Sequence, residues 1–501
     1  MKYSSVHSVL VVLIALGILY GLSRVDWSTH TGNRIKNFDL FEDLFPNAES
    51  QVASEPIADQ PALDPELLAL EDEATLDSIT TPDLPLLADS LSEIQLFVGP
   101  LLMEDSIDKA DNETSFAVLD EAIRALAPKE VEAAPMLEDG TIGIENYSVG
   151  EPLQMFHEAL RHARFRPVRI AVLGDSFIEG DLLTQNLRDQ LQEIYGGRGV
   201  GYMSMHSEMP GFRQTVHQGG KGWKMKTVRD MRGSDTIRVL SGEYGRAEGL
   251  ATATYKGARF SPRTKAWSRT SFVFLSPAAG SVSISGSEGE VASLDVSPSP
   301  APQILTLDAE TTSATISSDV PGLIGLGAYL IDPAGIQLDC MSIRGYSGIS
   351  HRNLNIGLSA AMDSVMPYDL IIIEYGINAL SAQQTNYTTY QKALVASIER
   401  IKASYPNADI LVLGISDRGV KRGGEFHSML TCAAMTNAQR KAASITGVHF
   451  WDMRAAMGGE DAVVEWRNKK LVNADYIHLN HKGGAEMASR LLNAILATYN
   501  E

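Results

Sequence analysis

The sequence predicts an α/β protein whose parallel sheet is interrupted by an all-β segment. Residues 169–177 and 368–378 each have the apolar pattern of a buried strand that ends in a glycine-containing turn, and a helical pattern at 182–194 follows the first. Between about residues 206 and 338, short strand-like runs are separated by Gly, Ser and Pro. Examples of these runs are residues 236–240, 271–275, 281–285 and 303–307. The chain of 501 residues is long enough for two or three domains.

The N-terminus carries an unbroken apolar run at residues 9–22, with Lys2 before it and Arg24 after it. The run is shorter than the roughly 20 residues of a typical membrane span and has the length of a signal-peptide core. Neither a small-x-small cleavage site close behind it nor a lipobox cysteine is present. We therefore predict that residues 1–25 are an uncleaved signal anchor, a transmembrane segment, rather than a cleaved signal.

The formal net charge of −20 is unevenly distributed along the chain. Between residues 39 and 150 the only basic residues are Lys109, Arg124 and Lys129, among many Asp and Glu residues. Acidic bias with Pro, Ala and Ser is typical of disorder, so residues 26–140 are predicted to be a mostly disordered acidic linker. The acidic balance gives no support to nucleic-acid binding.

The first predicted strand ends in Gly174-Asp175-Ser176. This places a hydroxyl at the carboxyl end of a strand, where open α/β sheets put their reacting groups. A serine there is a candidate nucleophile if the chain also supplies a base and an anion-stabilising site. Taken alone, the triplet fits an ordinary turn in which Ser176 caps the next helix equally well.

A candidate base lies near the C-terminus, where Asp475 and His478 are three residues apart, just before a helical stretch. An imidazole accepts a hydroxyl proton well only if its tautomer and orientation are fixed. A carboxylate three residues upstream can reach the ring nitrogen that faces away from the serine. An isolated Asp-x-x-His is more often a turn cap beside a passively packed histidine.

Two other strand ends offer candidate anion-stabilising groups. One is Gly376-Ile377-Asn378, whose side-chain amide can donate a hydrogen bond to an oxyanion. The other contains Gly345 and Gly348, where the missing Cβ lets backbone N–H groups approach a ligand closely. The alternatives are a turn asparagine and plain loop glycines.

In chain order, the serine, glycine, asparagine and Asp-x-x-His pair together resemble the SGNH (GDSL-type) hydrolase family. The resemblance covers roughly residues 144–202 and 340–499. It implies a three-layer α/β/α, flavodoxin-like domain made of two parts of the chain, residues 141–205 and 340–501. Ester chemistry by a serine needs no cofactor, and no metal-ligand spacing occurs in the sequence.

Carried over by position, the resemblance implies that Ser176 is the nucleophile. His478 would be its general base and acid, and Asp475 would orient the imidazole. The oxyanion hole would consist of the Ser176 N–H, the Gly348 N–H and the Asn378 side chain.

The sequence departs from the family pattern after Asn378, where Ala379 replaces a frequent aspartate. This puts in doubt a contact behind the site and leaves the amide donor itself in place. Asp175 is expected to be a structural neighbour, because the orienting carboxylate is Asp475.

Longer stretches at residues 174–181, 196–202, 375–379 and 450–459 are similar to the peptidoglycan O-acetylesterases of this superfamily. Those enzymes carry a β-sandwich resembling a carbohydrate-binding module between the first and second blocks. The insertion at residues 206–339 occupies the same place and is predicted to be such a β-sandwich.

Exposed aromatic side chains of this insertion could bind glycan. The candidates are Trp223, Tyr244, Tyr255 and Trp267. The alternative, which is the more frequent case, is that these residues form the core of the sandwich.

The resemblance implies a carboxylic ester hydrolase that removes O-acetyl groups from a cell-envelope glycan such as peptidoglycan, through an acyl-enzyme. An acylated glycan is the expected partner. The catalytic domain would lie in the periplasm, anchored to the inner membrane, or be exported. The charges of Arg24, Arg34 and Lys36 slightly favour the opposite orientation. Two alternatives remain: a glycan O-acetyltransferase that works with a membrane acyl donor, and a non-catalytic glycan-binding envelope protein.

Cys340 and Cys432 are the only cysteines, too few for a disulfide framework. The sequence leaves open whether they pair.

Overall fold

The structure, a computed structural model, describes residues 134–233 and 235–499. The predicted signal anchor at residues 1–25 and nearly all of the predicted linker lie outside the described residues. In the part of the chain that is described, no helix combines the length and apolar character needed to cross a membrane.

Helices and strands alternate before residue 201 and after residue 342, and the elements between these two positions are almost entirely strands. The helices are α1 (Gln154–Arg161), α2 (Thr184–Tyr195), α3 (Pro262–Lys265), α4 (Ile356–Val365), α5 (Thr388–Ser404), α6 (Cys432–Thr446), α7 (Met453–Met457), α8 (Ala462–Asn468) and α9 (His481–Ala497). The strands are β1 (Glu145–Asn146), β2 (Pro167–Gly174), β3 (Gly201–Met203), β4 (Val216–Thr227), β5 (Glu243–Gly257), β6 (Trp267–Ser276), β7 (Gly280–Ser285), β8 (Val291–Val296), β9 (Ser299–Thr311), β10 (Ser313–Ser318), β11 (Ile324–Ile331), β12 (Gly335–Ser342), β13 (Leu370–Glu374), β14 (Asp409–Leu413), β15 (Gly419–Arg422), β16 (Glu425–Ser428) and β17 (His449–Trp451).

The first sheet has six strands in the order β1-β17-β14-β13-β2-β12, and all of its pairings except that of β1 are parallel. Ile170 and Val172 pack into one core with residues of α1, α2 and α9. Ala171 and Leu173 face the opposite way, into a core with residues of α5 and α6. Helices on both faces explain why these strands are apolar at nearly every position. This is the expected three-layer α/β/α fold.

The insertion, together with β3 just before its predicted start at residue 206, forms a second sheet of nine strands, β3 to β11, around a core of its own. Its path is β8-β7-β10-β5-β11-β6-β9, with β3 beside β11 and β4 beside β5. The long strand β5 pairs with β11 near its start and with β10 near its end. Because one strand links both ends of this sheet, an arrangement as two separate sandwich layers stays a prediction. The strand β12 runs across the predicted boundary at residue 339 and belongs to the first sheet.

The predicted strand at residues 236–240 is wrong, because these residues form no strand. The Asp235 side chain accepts a hydrogen bond from the Ile237 N–H at 3.1 Å, which turns the backbone. Val239 and Leu240 are apolar because they are buried in a core that both sheets share.

Of the two interpretations of the four aromatic residues of the insertion, the more frequent one is correct, since all four are buried. Their exposed fractions are 8% for Trp223, 7% for Tyr244, and 0% for Tyr255 and Trp267. The protein itself satisfies the polar tips of Tyr255 and Trp267, which donate hydrogen bonds to Ser204 O and Thr270 Oγ1. These rings stabilise the insertion, as the alternative held. Cys340 and Cys432 are both buried and unpaired.

Candidate active site

The structure brings Ser176, His478 and Asp475 together at the carboxyl end of β2. Ser176 Oγ lies 2.9 Å from His478 Nε2, and His478 Nδ1 lies 2.7 Å from Asp475 Oδ2. A carboxylate can only accept, so Nδ1 carries the proton and Nε2 is left to accept from the serine hydroxyl. The arrangement can therefore move a proton from Ser176 to His478.

The loop that carries Asp475 and His478 is held from several sides. Asp475 Oδ1 accepts hydrogen bonds from the backbone N–H groups of Ile477 and His478, at 2.9 and 3.1 Å. Tyr476 between them has a positive φ of 56°, which is uncommon for a side chain of this size. Its ring stacks on Phe426 of β16, with 3.8 Å between the ring centroids. The hairpin β15–β16 thus holds the loop in a strained turn.

The charge of Asp475 is stabilised by its partner. Burial raises the pKa of this carboxyl, but the hydrogen bond and the charge of His478, with the two backbone N–H groups, outweigh burial and leave the pKa below its ordinary value. Asp475 is therefore ionised at neutral pH. The side chains of His478 and Asp475 are 32% and 37% exposed, so the site is open to solvent.

Beneath Ser176 lies a pair of buried carboxyl groups, Asp175 and Glu374. Asp175 Oδ1 accepts from the Phe177 N–H at 2.9 Å, and Oδ2 accepts from Asn378 Nδ2 at 2.7 Å. Glu374 ends β13 beside Gly174, where an added Cβ would lie 2.7 Å from Glu374 Oε2. Burial raises the pKa of both carboxyl groups, and their proximity adds to the rise at Glu374. A glycine at position 174 leaves room for the Glu374 carboxyl group and the Ile178 side chain.

The predicted oxyanion residues meet through one side-chain amide. Asn378 Nδ2 donates to Asp175 Oδ2 at 2.7 Å and to Tyr346 O at 3.1 Å, which ties the loops of Ser176 and Gly348 together. Gly348 has a φ of 85°, and an added Cβ would collide with the Tyr375 ring. The two amide protons of Asn378 are thus already directed to protein oxygens, and its role as an oxyanion donor stays a prediction.

Sequence reasoning missed a charged pair at the edge of the site. Arg344 Nε donates to Glu179 Oε2 at 2.8 Å, and the Glu179 charge interacts with His478. Arg344 lies in the block that supplied Gly348, and an arginine so close to a predicted oxyanion loop was an available signal.

Two buried charged groups were missed as well. Arg418 is 3% exposed and donates to Ile377 O, next to Asn378, at 3.1 Å, and Asp475 is among the charges that act on it. No sequence signal marked Arg418, which follows β14 in an irregular loop. Glu374 does have a signal, because it is a charged residue that ends an apolar strand. Across the described ranges, no cluster of His, Cys, Asp and Glu side chains could hold a metal ion.

A comparison with known families matches the second part of this domain. The family described as the GDSL-like Lipase/Acylhydrolase family matches residues 325–485, which include Gly348, Asn378, Asp475 and His478. This chain carries a GDSL-type hydrolase domain. The domain is a carboxylic ester hydrolase domain, and the part of it that carries Ser176, just after β2, lies before the insertion and outside the matched residues.

One solved structure shares the fold of this hydrolase. It is described as "Peptidoglycan O-acetylesterase in action, 5 min" and is 21% identical, with a TM-score of 0.58, and the match covers 71% of this chain and 99% of that chain. At this identity the likeness shows the fold alone. A family two carbohydrate esterase from Cellvibrio japonicus is 10% identical with a TM-score of 0.25, over 57% of this chain and 98% of that chain, a score too low to argue from. None of the curated proteins compared with the sequence matches it.

Proposed function

We propose that this hydrolase is a serine esterase that removes O-acetyl groups from a cell-envelope glycan such as peptidoglycan. The observation that carries the proposal is the hydrogen-bonded series from Ser176 Oγ through His478 to Asp475, at 2.9 and 2.7 Å. The choice of an O-acetylated glycan is supported by the sequence similarity to peptidoglycan O-acetylesterases. Such a substrate would place the activity in the cell envelope.

In the first half of the proposed reaction, Ser176 Oγ bonds to the acyl carbon while its proton passes to His478 Nε2. Asp475 stabilises the imidazolium that forms. The bond between the acyl carbon and the sugar oxygen then breaks, and His478 Nε2 gives its proton to that oxygen. The sugar hydroxyl leaves and an acetyl-enzyme remains on Ser176.

In the second half, His478 Nε2 takes a proton from water, whose oxygen bonds to the acyl carbon. The ester bond to Ser176 breaks, the proton returns to Ser176 Oγ, and acetic acid is released. Each half passes through an oxyanion, for which we propose the N–H groups of Ser176 and Gly348 and the amide of Asn378 as donors.

Donation by Asn378 requires a change from the resting geometry. At rest, Asn378 Nδ2 donates to Asp175 Oδ2 at 2.7 Å and to Tyr346 O at 3.1 Å. One of these two hydrogen bonds must either be shared with the oxyanion or break so that the amide can donate to the oxyanion instead. Asp175 therefore acts as a positioning residue, because it sets where the amide lies before the substrate binds.

The test uses the purified full chain and a fluorophosphonate probe that labels an activated serine. We expect labelling at Ser176 and acetate release from O-acetylated peptidoglycan, with less from acetylated xylan. The Ser176→Ala variant should lose both the label and the release. Absence of labelling in the unaltered chain would overturn the serine mechanism. If mass spectrometry finds the acetyl group on a glycan hydroxyl rather than as free acetate, the chain is a transferase.

A further inference from the structure

The loop between β4 and β5, within the insertion, reaches the candidate active site. Arg229 in this loop donates from Nη1 to Arg344 O at 3.3 Å. An added Cβ on Gly345 would lie 3.4 Å from the same guanidinium nitrogen. The insertion therefore contacts the loop that leads to Gly348.

The arginines of this loop are braced by backbone carbonyl groups. Arg232 donates to Arg229 O and Met231 O at 3.2 and 3.4 Å, and Arg238 donates to Arg232 O at 3.0 Å. Among the residues that the structure describes, Arg229, Arg232 and Arg238 form no ion pair with a carboxylate. Arg229 and Arg232 are exposed. Backbone carbonyls orient the guanidinium groups, and no carboxylate among the described residues pairs with them directly.

The acidic residues of the loop are engaged elsewhere. Asp230 accepts from the Thr227 backbone N–H and hydroxyl, both at 3.0 Å. Asp235 pairs with Lys226 and accepts from the Tyr244 hydroxyl. Like charges held close together on a surface repel one another and attract anions. The planar fork of a guanidinium matches a carboxylate in particular.

The loop is connected to the edge of the candidate active site through one ion pair. Arg344, whose carbonyl accepts from Arg229, donates from its own side chain to Glu179 at 2.8 Å. Glu179 follows Ser176 by three residues, and its charge interacts with His478. The side chain of Arg344 is 52% exposed, so it faces solvent at this edge of the site.

From this geometry we propose that Arg229, Arg232 and Arg344 form a subsite for a carboxylate carried by the substrate glycan, next to the acylated sugar. This inference rests on the proposed function and deepens it, because it makes the substrate an anionic glycan. The insertion thus meets the glycan through guanidinium groups, while its aromatic rings stay in the core.

The experiment compares two forms of one substrate, carboxylate-bearing O-acetylated peptidoglycan fragments and the same fragments with their carboxylates amidated. The test variant is Arg229→Gln/Arg232→Gln. The surface control is Arg161→Gln. Arg161 is exposed, pairs with Glu158 and lies in the last turn of α1, which precedes the amino end of β2, whereas Ser176 follows the carboxyl end of β2. The control variant removes one positive charge far from the loop. An aryl acetate reports on the esterase without any glycan.

We expect the double variant to raise KM for the carboxylate-bearing fragments about tenfold, as the loss of two exposed charge contacts would. Its effect on the amidated fragments and on the aryl acetate should be much smaller. The wild-type preference for carboxylate-bearing fragments should weaken as salt rises, because salt screens exposed charges. Arg229→Lys/Arg232→Lys, which keeps the charge, should recover part of the loss.

An equal loss on both fragment forms, or an equal loss in the Arg161→Gln control, would overturn the subsite and leave the esterase proposal intact. A wild-type chain that hydrolyses the amidated form as well as the carboxylate form would overturn it too. Activity of Ser176→Ala on the aryl acetate would instead overturn the proposed function. Thermal unfolding of each variant shows whether a lost activity reflects a lost fold.

Discussion

The two halves of the candidate active site differ in how ready they are for the reaction. In the half proposed to transfer the proton, the Ser176, His478 and Asp475 side chains contact one another in the order that the proposed reaction uses. In the half proposed to stabilise the oxyanion, Asn378 donates to Asp175 and Tyr346. The first half is assembled at rest, and the second is occupied by the protein's own oxygens.

Burial explains this difference. Asn378 is only 7% exposed, and a buried amide proton without an acceptor is unfavourable by about 1–3 kcal/mol. Asp175 and Tyr346 supply acceptors in the absence of substrate. His478 is about one third exposed, so water can satisfy it when the serine moves. A residue that binds a transient charge from a buried position must therefore exchange a resting partner.

The largest effect should come from removing the nucleophile. Ser176→Ala should lower kcat/KM for an aryl acetate by about 10⁴-fold or more, since the acyl-enzyme cannot form. Initial rates of acetate release measure this directly. Undiminished activity would show that Ser176, His478 and Asp475 do not carry out the reaction.

The second-largest effect should come from Asp475→Asn. It should lower kcat/KM for the aryl acetate by roughly 10³- to 10⁴-fold, because an amide can hold the imidazole in the wrong tautomer. Rates on the aryl acetate, with a His478→Ala variant alongside, give the measurement. A loss below about tenfold would mean that the backbone alone orients His478.

The next prediction tests whether the Asn378 amide donates to the oxyanion. Asn378→Ala should lower kcat by on the order of 100-fold if the amide donates to the oxyanion. The unfolding midpoint, measured in parallel, should also fall, because Asp175 Oδ2 loses its donor. A lower midpoint with unchanged kcat would show that Asn378 only ties the loops together.

The smallest effect concerns the Glu374 carboxyl group and changes how the free energy of unfolding depends on pH. Burial raises the pKa of Glu374 above its ordinary value, so the folded state holds this proton more tightly than the unfolded chain. That stabilisation is full below the unfolded pKa of about 4.3 and is lost as the pH rises from there through the folded pKa.

Glu374→Gln, which stays neutral, should therefore become more stable relative to the wild type as the pH rises. The slope is at most about 1.4 kcal/mol per pH unit. Thermal unfolding of both chains between pH 5 and 8 checks the direction. If the stabilities of the two chains change in parallel with pH, the result would contradict the raised pKa of Glu374.

Much of the fold and the candidate site could be predicted because the signals are local. The apolar runs that end in Gly174-Asp175-Ser176 and near Asn378 identify strands buried on both faces, whose carboxyl ends lie at one edge of a sheet. The strand predicted at residues 236–240 failed because an apolar run that packs beneath a loop has the same pattern as a strand.

By itself, the sequence determined the order of the motifs and the kinds of side chain that can transfer a proton or stabilise an oxyanion. Local pattern and residue chemistry are sufficient for that. Only the tertiary structure decided that the amide of Asn378 is engaged, that Trp223 and Tyr244 are buried, and that Arg229 reaches the active-site edge. These features depend on contacts between segments far apart in the chain, and burial and hydrogen-bond partners exist only once those segments have packed.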